Sequence, residues 1–435
     1  MTTIEELYNI YIQHRNITTD TRTIHGGEIF FALKGDNFDG NTFAHKALEA
    51  GAAFAVVDNT ECYSQKPERC ILVDDVLTAL QQLARYHRSQ TKHIPIVAIT
   101  GTNGKTTTKE LTTAVLSKKY RTHSTKGNYN NHIGVPLTLL SMPQDTDIAI
   151  IEMGANHPKE IEFLCSIAQP DYGLITNIGK AHLEGFGSFE NVIKTKTELY
   201  NYLHSTNGLA FVNADDNILM ENINNIKHIE YSRNGINSII RPSYKDSSPY
   251  LQFYFEADDR VYTVSTNLLG AYNYTNALAA ICVASFFKVD CFDIKQALEE
   301  YIPTNHRSQL KKTNRNSLIM DCYNANPSSM KVALDNFGAI KTANKKVAIL
   351  GAMKELGADS EREHKAVVEQ ASKLELDMAV FVGKEFEFVN PSKGILHFTD
   401  TAKAKEYFAA NPIAEAIILL KGSNSMHMGD MEAVL

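Results

Sequence analysis

The chain has 435 residues, more than one hydrophobic core usually serves, so two or three domains are expected. Its 43% hydrophobic and 21% charged residues are typical of a soluble globular protein, and the net charge of −7 argues against a general nucleic-acid binder. Six cysteines without a C-x-x-C pair, an N-terminus without a signal-peptide core and the lack of a bilayer-length apolar run favour the cytoplasm and predict no membrane span.

The first predicted domain, residues 1–93, combines short apolar strands with a helical pattern. Its predicted strands are Glu28–Leu33, Ala52–Asp58 and Cys70–Val73, and its predicted helix is Asp75–Ser89. Between the first two strands, the segment Lys34–Gly40 is rich in turn residues, which is typical of a ligand-binding loop. The pattern predicts a small α/β module.

The second predicted domain, residues 94–302, begins with a strand at Ile94–Ile99, a glycine-rich turn and a helix to about Lys119. Its other predicted elements are strands at Asp147–Glu152, Tyr172–Asn177 and Leu209–Asn213, a hairpin of Tyr250–Glu256 with Arg260–Thr266, and a helix at Tyr274–Phe287. This spacing indicates a parallel sheet made of strand–helix–strand units.

The third predicted domain, residues 303–435, has the same alternation of apolar strands and helices. Its predicted strands are Leu318–Cys322, Lys346–Leu350, Met378–Val382 and Ala416–Leu420. The whole chain is therefore predicted to be α/β.

The segment Gly101–Thr107, called the phosphate loop below, lies between a predicted strand and a predicted helix. Backbone N–H groups in such a turn, the positive end of the helix and the Lys105 ammonium form a cradle for phosphate, and Thr106 would place its hydroxyl on Mg²⁺. The strict P-loop pattern has glycine where this chain has Ile99, so the motif is a variant. The alternative is a glycine turn with a surface lysine.

Two polar residues are expected at the same edge of the predicted sheet. Glu152 ends an apolar strand, and His182 lies on a glycine-flanked loop after the next strand. Ligands bind outside the carboxyl ends of parallel strands, so Glu152 is a candidate Mg²⁺ ligand and His182 lies in a position to help. The alternatives are a solvated acid and a surface histidine.

Lys196 lies on a predicted helix that begins near Ser188. It shares one apolar face with Val192, Leu199 and Leu203, whereas Lys194 points elsewhere. A buried lysine is costly unless it is paired or chemically altered. One interpretation is a lysine whose end reaches water; the other is a lysine of lowered pKa that reacts with CO₂ to give a carbamate, an oxygen ligand for a hard cation.

Several motifs together resemble the Mur ligase family, the ATP-dependent amide-forming enzymes of peptidoglycan precursor synthesis. The matching segments are TGTNGKTTTKE at 100–110, GNYNNHIGVPLTLL at 127–140, EMGANHPKEI at 152–161, NIGKAHLEGFGS at 177–188 and KTKTEL at 194–199. Two further segments, DTRTIHGGEIFFALKGDNFDG at 20–40 and MDCYNANPSSM at 320–330, resemble the member that uses a dipeptide. The resemblance covers nearly the whole chain.

The resemblance implies a three-domain α/β fold, in which a central P-loop parallel-sheet ATPase is flanked by a small UDP-binding domain and a Rossmann-like C-terminal domain. It implies that ATP phosphates bind Gly101, Thr102, Asn103, Gly104, Lys105, Thr106 and Thr107, and that Mg²⁺ binds Thr106, Glu152, His182 and carbamylated Lys196. Asn273 and Asn276 fall at the adenine, and Arg307 and Asp321 reach ATP from the third domain. Thr21, Arg22, Lys34 and Asp39 fall in the uridine-nucleotide region, and Asn324 and Asn326 in the dipeptide tract.

The implied reaction joins the terminal carboxylate of UDP-N-acetylmuramoyl-tripeptide to D-alanyl-D-alanine through an acyl phosphate. The implied catalytic residues are Lys105, Lys196, His182, Glu152 and Arg307. Three places depart from the family pattern: Tyr272 replaces a histidine, Asn424 replaces an arginine that could make a bidentate contact, and residues 305–307 are looser than the usual glycine–arginine junction. We expect a monomer.

Two alternatives are weighed against this reaction. One is another ligase of the same architecture, which adds a different amino acid or acts on folate-type polyglutamates. The other, from a different class, is a regulatory P-loop ATPase that hydrolyses ATP without an acceptor. The sequence leaves open whether the third residue of the tripeptide is lysine or diaminopimelate.

Overall fold

A computed structural model of the chain describes residues 2–236, 240–245, 249–304, 307 and 309–435. The α-helices are Ile4–His14, Ala44–Glu49, Thr60–Gln65, Val76–Gln90, Lys105–Leu116, Gly134–Leu140, Glu160–Ala168, Leu183–Phe186, Phe189–Ser205, Asn217–Asn222, Asn273–Phe286, Cys291–Glu300, Pro327–Ala339, Ser360–Ser372 and Thr401–Ala410. None of the helices in the described part of the chain has the length and apolar character that crossing a bilayer requires. Parallel sheets with helices on their faces confirm the α/β prediction.

The first sheet is parallel and belongs to the N-terminal part of the chain. Its strands, in spatial order, are Ile17–Thr18, Ile29–Phe31, Phe54–Val57 and Cys70–Leu72. The predicted ligand loop after the second strand forms a small hairpin, in which Lys34–Gly35 pairs with Phe38–Asp39. The loop prediction is therefore refined: the turn-rich segment is partly extended.

The central sheet has seven strands and carries the phosphate loop at its middle. Its order is Gly235–Ile236, Lys227–Ser232, Leu209–Asn213, Tyr172–Ile175, Ile96–Thr100, Ile148–Glu152 and Thr122–Ser124, with only the first pair antiparallel. Along Ile96–Thr100, side chains alternate between two apolar cores, Ile96 on one face and Val97 on the other. Both faces are covered, which explains the continuous apolar run in the sequence.

An antiparallel sheet and a buried helix extend the central part of the chain. The sheet contains Arg241–Lys245, Tyr250–Ala257 and Arg260–Leu269, so the predicted hairpin is confirmed. The helix Asn273–Phe286 is apolar on nearly all sides because it packs against the helix Lys105–Leu116 and the central sheet. This packing brings Asn273 and Asn276 beside the phosphate loop.

The third sheet is formed by the C-terminal part of the chain. Its order is Gln309–Lys312, Asn316–Asp321, Ala416–Lys421, Lys345–Gly351, Met378–Val382 and Ile395–Phe398, and only the first strand is antiparallel. The carboxyl end of Asn316–Asp321 leads into the tract 320–330 and the helix Pro327–Ala339. That end of the sheet faces the phosphate loop, as the contacts below show.

One buried histidine of the N-terminal part gives a stability prediction. His87 is 4% exposed, packs against Tyr8 and Tyr11, and burial lowers its pKa to about 4. His87 is therefore protonated near pH 6.5 in the unfolded chain but only near pH 4 in the folded chain. The contribution of this group to the free energy of unfolding is fully present above pH 6.5 and decreases as the pH falls towards 4.

We expect the helix Val76–Gln90 to lose about 2 kcal/mol of opening free energy between pH 7 and pH 5, from the shift of this one group. Hydrogen exchange of its amides measures this loss. In His87→Gln, which cannot take up the proton, the loss should be smaller by that amount. An equal loss in both proteins contradicts the prediction.

Candidate active site

The backbone of the phosphate loop requires its glycines. Gly101 has φ +141°, and a Cβ there would lie 2.0 Å from Thr176 Oγ1. Gly104 caps the helix Lys105–Leu116 with φ +79°, and a Cβ there would lie 2.6 Å from Asn276 Oδ1. The loop therefore passes close to two neighbouring elements in a conformation that other residues rarely adopt.

The strand next to the loop holds it in place through polar contacts. The carbonyl of Asn103 accepts hydrogen bonds from Thr176 Oγ1 (2.6 Å) and Asn177 Nδ2 (2.9 Å), and its N–H donates to Asn177 Oδ1 (3.1 Å). Gly179 N donates to Thr102 Oγ1 at 2.9 Å. The loop is therefore preorganised by Thr176, Asn177 and Gly179, to which the sequence patterns gave no role.

Lys105 folds back over the loop. Its Nζ donates to the carbonyls of Gly101 (2.8 Å) and Thr102 (3.0 Å). Desolvation lowers its pKa to about 8, although the Glu152 carboxylate opposes this shift. The ammonium is thus held at the loop by weak neutral partners, which phosphate oxygens of higher charge can replace.

Glu152 ends its strand as predicted, but it is not a solvated acid because it is 1% exposed. Its Oε1 accepts hydrogen bonds from Asn130 Nδ2 (2.8 Å) and Thr106 Oγ1 (3.2 Å). Its Oε2 is buried without a hydrogen-bond partner in the described structure. A buried carboxylate oxygen without a donor is costly, and a hard cation satisfies it.

The residues around Glu152 fit Mg²⁺ that is shared with a phosphate. Among the described residues, no group of three or more His, Cys, Asp and Glu side chains could hold a metal ion on its own. Mg²⁺ is commonly held by one or two carboxylates together with substrate phosphates and water, so one carboxylate and the Thr106 hydroxyl beside a phosphate loop suit it.

Lys196 points inwards, and the prediction of its direction is confirmed. It is 2% exposed on the helix Phe189–Ser205, whereas Lys194 is exposed. Its Nζ is 3.5 Å from the Ala155 carbonyl and 5.8 Å from the centre of the Phe186 ring. Burial first, and then the charge of Lys105, lower its pKa well below the usual value, while Glu160 and Glu198 oppose this shift.

His182 contacts a carboxylate from the third sheet. Its Nδ1 forms a hydrogen bond with Glu355 Oε2. Desolvation lowers the pKa of His182, while the negative charge of Glu355 opposes this shift. His182 is therefore not the surface histidine of the alternative interpretation; our sequence analysis did not identify Glu355.

Most of these groups line a cavity of about 750 Å³ between the central and third sheets. The predicted residues that line it are Thr102, Asn103, Gly104, Lys105, Thr107, Glu152, His182, Asn273, Asn276, Arg307, Asp321, Asn324 and Asn326. Gly101, Thr106 and Lys196 do not line it, although Thr106 reaches it through Glu152. Lining residues that the sequence analysis did not assign include Asn130, Tyr323, Glu355 and Lys421, whereas Tyr272 and Asn424, both noted as departures, do line it.

Residues from the third sheet approach the phosphate loop directly. Asn326 caps the helix Pro327–Ala339, and its Nδ2 donates to Asn103 Oδ1 at 2.9 Å. Arg307 stacks on Tyr323, with its guanidinium carbon 3.8 Å from the ring centre, and its Nε is buried without a partner. An unpartnered guanidinium N–H beside the cavity can donate a hydrogen bond to an anionic oxygen of a ligand.

Two amides and one acid at the cavity have protein partners. Asn276 Nδ2 donates to Asn273 Oδ1 (2.9 Å), and Asn273 Nδ2 donates to the Leu269 carbonyl (2.8 Å). Asp321 accepts from the buried Lys421 Nζ at 2.7 Å. These contacts fix the side chains that line the cavity.

The four residues predicted for uridine nucleotide do not line this cavity. Arg22 pairs with Asp20 (2.7 Å), and Lys34 pairs with Asp58 (2.8 Å). Asp39 lies opposite Lys34 in the hairpin, and Thr21 begins a short 3-10 helix. They lie in or next to the first sheet, and none of them lines the cavity.

Comparison with known families agrees with this arrangement. Residues 13–88 match the Mur ligase family, catalytic domain; residues 99–284 match the Mur ligase middle domain; and residues 306–424 match the Mur ligase, glutamate ligase domain. The chain belongs to the Mur ligase family, whose members are ATP-dependent ligases. The predictions of the family, the three-domain fold and an ATP-dependent ligase are confirmed.

Three similar proteins, one curated relative and two solved structures, are the same member of this family. The chain is 34% identical over 425 residues to the UDP-N-acetylmuramoyl-tripeptide--D-alanyl-D-alanine ligase of Bacillus subtilis (strain 168), with 95% of this chain and 92% of that protein covered. A crystal structure of MurF from Acinetobacter baumannii matches with a TM-score of 0.84 at 30% identity, over 96% of this chain and 92% of that one. MurF ligase from Thermotoga maritima, solved in complex with ADP, matches with a TM-score of 0.82 at 27% identity, over 100% of this chain and 98% of that one.

Proposed function

We propose that this chain uses ATP to form the amide bond between the terminal carboxylate of UDP-N-acetylmuramoyl-tripeptide and D-alanyl-D-alanine, in peptidoglycan precursor synthesis. The observation that carries the proposal is the convergence of the phosphate loop, the buried Glu152 and residues of the tract 320–330 on one cavity. Relatives that carry this activity in their names align over nearly the whole chain.

In the proposed reaction, the tripeptide carboxylate attacks the γ-phosphorus of ATP, and ADP leaves with the electrons of the broken bond. The acyl phosphate so formed is then attacked by the dipeptide amine, which loses a proton as phosphate is expelled. Lys105 and the loop N–H groups would hold the phosphates, and Arg307 would meet charge on the transferring group. Positioning accounts for most of the rate in such reactions.

Mg²⁺, when bound, would neutralise charge on the phosphates next to Glu152. Glu152 Oε2, the Thr106 hydroxyl and His182 would hold it. We further propose that Lys196 carries a carbamate, because its amine is buried beside the Ala155 carbonyl and burial lowers its pKa. The amine attacks CO₂, forms the N–C bond and releases one proton.

The remaining roles are those that the family resemblance implies. We propose that Thr21, Arg22, Lys34 and Asp39 bind the uridine nucleotide, that Asn273 and Asn276 bind adenine with Asp321 on ATP, and that Asn324 and Asn326 meet the dipeptide. We also propose domains at 1–93, 94–302 and 303–435, a monomeric enzyme and a cytoplasmic location, where UDP-linked precursors and ATP are available. Light scattering of the purified protein tests the monomer.

The reaction predicts that ADP release depends on both acceptor and donor. With ATP, Mg²⁺ and the UDP-linked tripeptide, D-alanyl-D-alanine should raise steady ADP release at least tenfold, because the acyl phosphate persists without an amine. A coupled spectrophotometric assay measures the rate, and mass spectrometry identifies the amide. ADP release at full rate without the dipeptide would favour a regulatory ATPase, and stimulation by single amino acids would favour another ligase of the family.

A further inference from the structure

Glu355 joins two parts of the cavity that belong to different sheets. It follows the strand Lys345–Gly351 of the third sheet, whereas His182 follows the strand Tyr172–Ile175 of the central sheet. The contact between the carboxylate and Nδ1 spans 173 residues of sequence. It therefore exists only while the third sheet is docked against the central one.

Backbone contacts accompany this side-chain contact. The N–H of Glu184 donates to the Glu355 carbonyl at 3.3 Å. Gly357 packs against Glu184, since a Cβ on the glycine would lie 3.6 Å from Glu184 Cβ. The short helix Leu183–Phe186 is thus held from the third sheet at its first turn.

Both partners have unfavourable backbone conformations. His182 has φ +51° and Glu355 has φ +61°, in the left-handed region that residues other than glycine adopt less readily. The side chains of these two residues contact each other, and both residues line the cavity.

We propose that Glu355 is a positioning residue for His182. An ionised carboxylate only accepts hydrogen bonds, so in the neutral imidazole the contact requires the proton on Nδ1 and leaves the lone pair on Nε2. A carboxylate on one imidazole nitrogen is a common way to orient the other nitrogen towards a metal ion. This inference rests on the proposed role of His182 as a cation ligand.

The proposal links docking of the third sheet to assembly of the cation site. Two other contacts of the same sheet reach the same region, since Asn326 donates to Asn103 Oδ1 (2.9 Å) and Lys180 N donates to Ser328 Oγ (3.1 Å). Before docking, His182 lacks its carboxylate and its ring is free to adopt either tautomer. Docking then selects the tautomer that binds a cation, so cation affinity rises when the third sheet closes.

The test compares Glu355→Ala and Glu355→Gln with the wild-type chain and with Glu387→Ala, an exposed acid of the same region. Mn²⁺ replaces Mg²⁺ because its binding with ADP can be followed by electron paramagnetic resonance. ¹⁵N NMR of the imidazoles, assigned with His182→Asn, identifies the tautomer. We expect Glu355→Ala to lose the Nδ1–H form and to bind Mn²⁺ about 10- to 100-fold more weakly.

Glu355→Gln keeps an oxygen that can accept from Nδ1–H, so it should keep the tautomer and lose less affinity than the alanine variant. Glu387→Ala should match the wild type in both measurements. Wild-type protein with the proton on Nε2 overturns the proposal, and this result requires no variant to fold. Unchanged Mn²⁺ affinity in folded Glu355→Ala also overturns it. Loss of dipeptide-dependent ADP release in the wild type would instead overturn the ligase, whatever the tautomer.

Discussion

Lys196→Ala is expected to lower dipeptide-dependent ADP release by about a thousandfold, the scale of losing a charged group that acts on the transferring phosphoryl. The substitution removes the amine that would carry the carbamate and leaves a small space next to Ala155, where Nζ now lies. Acetate or formate can enter that space and supply the lost oxygens. We therefore expect short carboxylates to restore part of the rate.

The matched control is Lys194→Ala on the same helix. Lys194 is exposed two residues away, so its removal should leave the rate within about twofold, as is usual for surface substitutions. A ¹³C carbamate resonance should form in wild-type protein supplied with ¹³C-bicarbonate and be missing in Lys196→Ala. An alanine variant that keeps full activity, or that no carboxylic acid restores, would count against the carbamate.

Glu152→Gln is expected to lower the rate by about two to three orders of magnitude with little change in fold. The amide keeps an oxygen for the hydrogen bonds from Asn130 Nδ2 and Thr106 Oγ1, so the side chain should stay in place. What is lost is the negative charge at the buried Oε2, which would attract the cation. The thermal stabilisation by ADP with Mg²⁺ should fall with the activity.

The control for this variant is Glu162→Gln on the helix Glu160–Ala168. That carboxylate forms an exposed ion pair with Lys159 (2.6 Å), and such pairs contribute little. Its rate and its response to ADP with Mg²⁺ should equal those of the wild type. If Glu152→Gln binds ADP with Mg²⁺ as tightly as the wild-type chain, Glu152 does not hold the cation.

Local sequence patterns predicted the central sheet well. The strand Leu209–Asn213 has the predicted bounds, and the helical spacing separated inward Lys196 from outward Lys194. These features depend on neighbours within a few residues. The helix Ile4–His14 was missed, although its capping box of Thr3 and Glu6 was a readable signal.

Contacts between distant segments were beyond local patterns. Nothing near Glu355 in the sequence indicates that it meets His182, because the pairing depends on how two sheets dock. The same holds for Asn130, which lies in the loop before the helix Gly134–Leu140 and donates a hydrogen bond to Glu152 Oε1. Short edge strands such as Thr122–Ser124 also escape prediction, since their pairing partner rather than their composition defines them.

The separate locations of the first sheet and the cavity lining have a consequence for substrate choice. None of the described residues 2–93 lines the cavity. If the first sheet binds the uridine end of the UDP-linked tripeptide, the peptide must extend from that sheet into the cavity to bring its carboxylate to the phosphate loop. The length of the peptide would then determine which substrates react, because the carboxylate of a shorter peptide would not reach ATP, whatever its side chains.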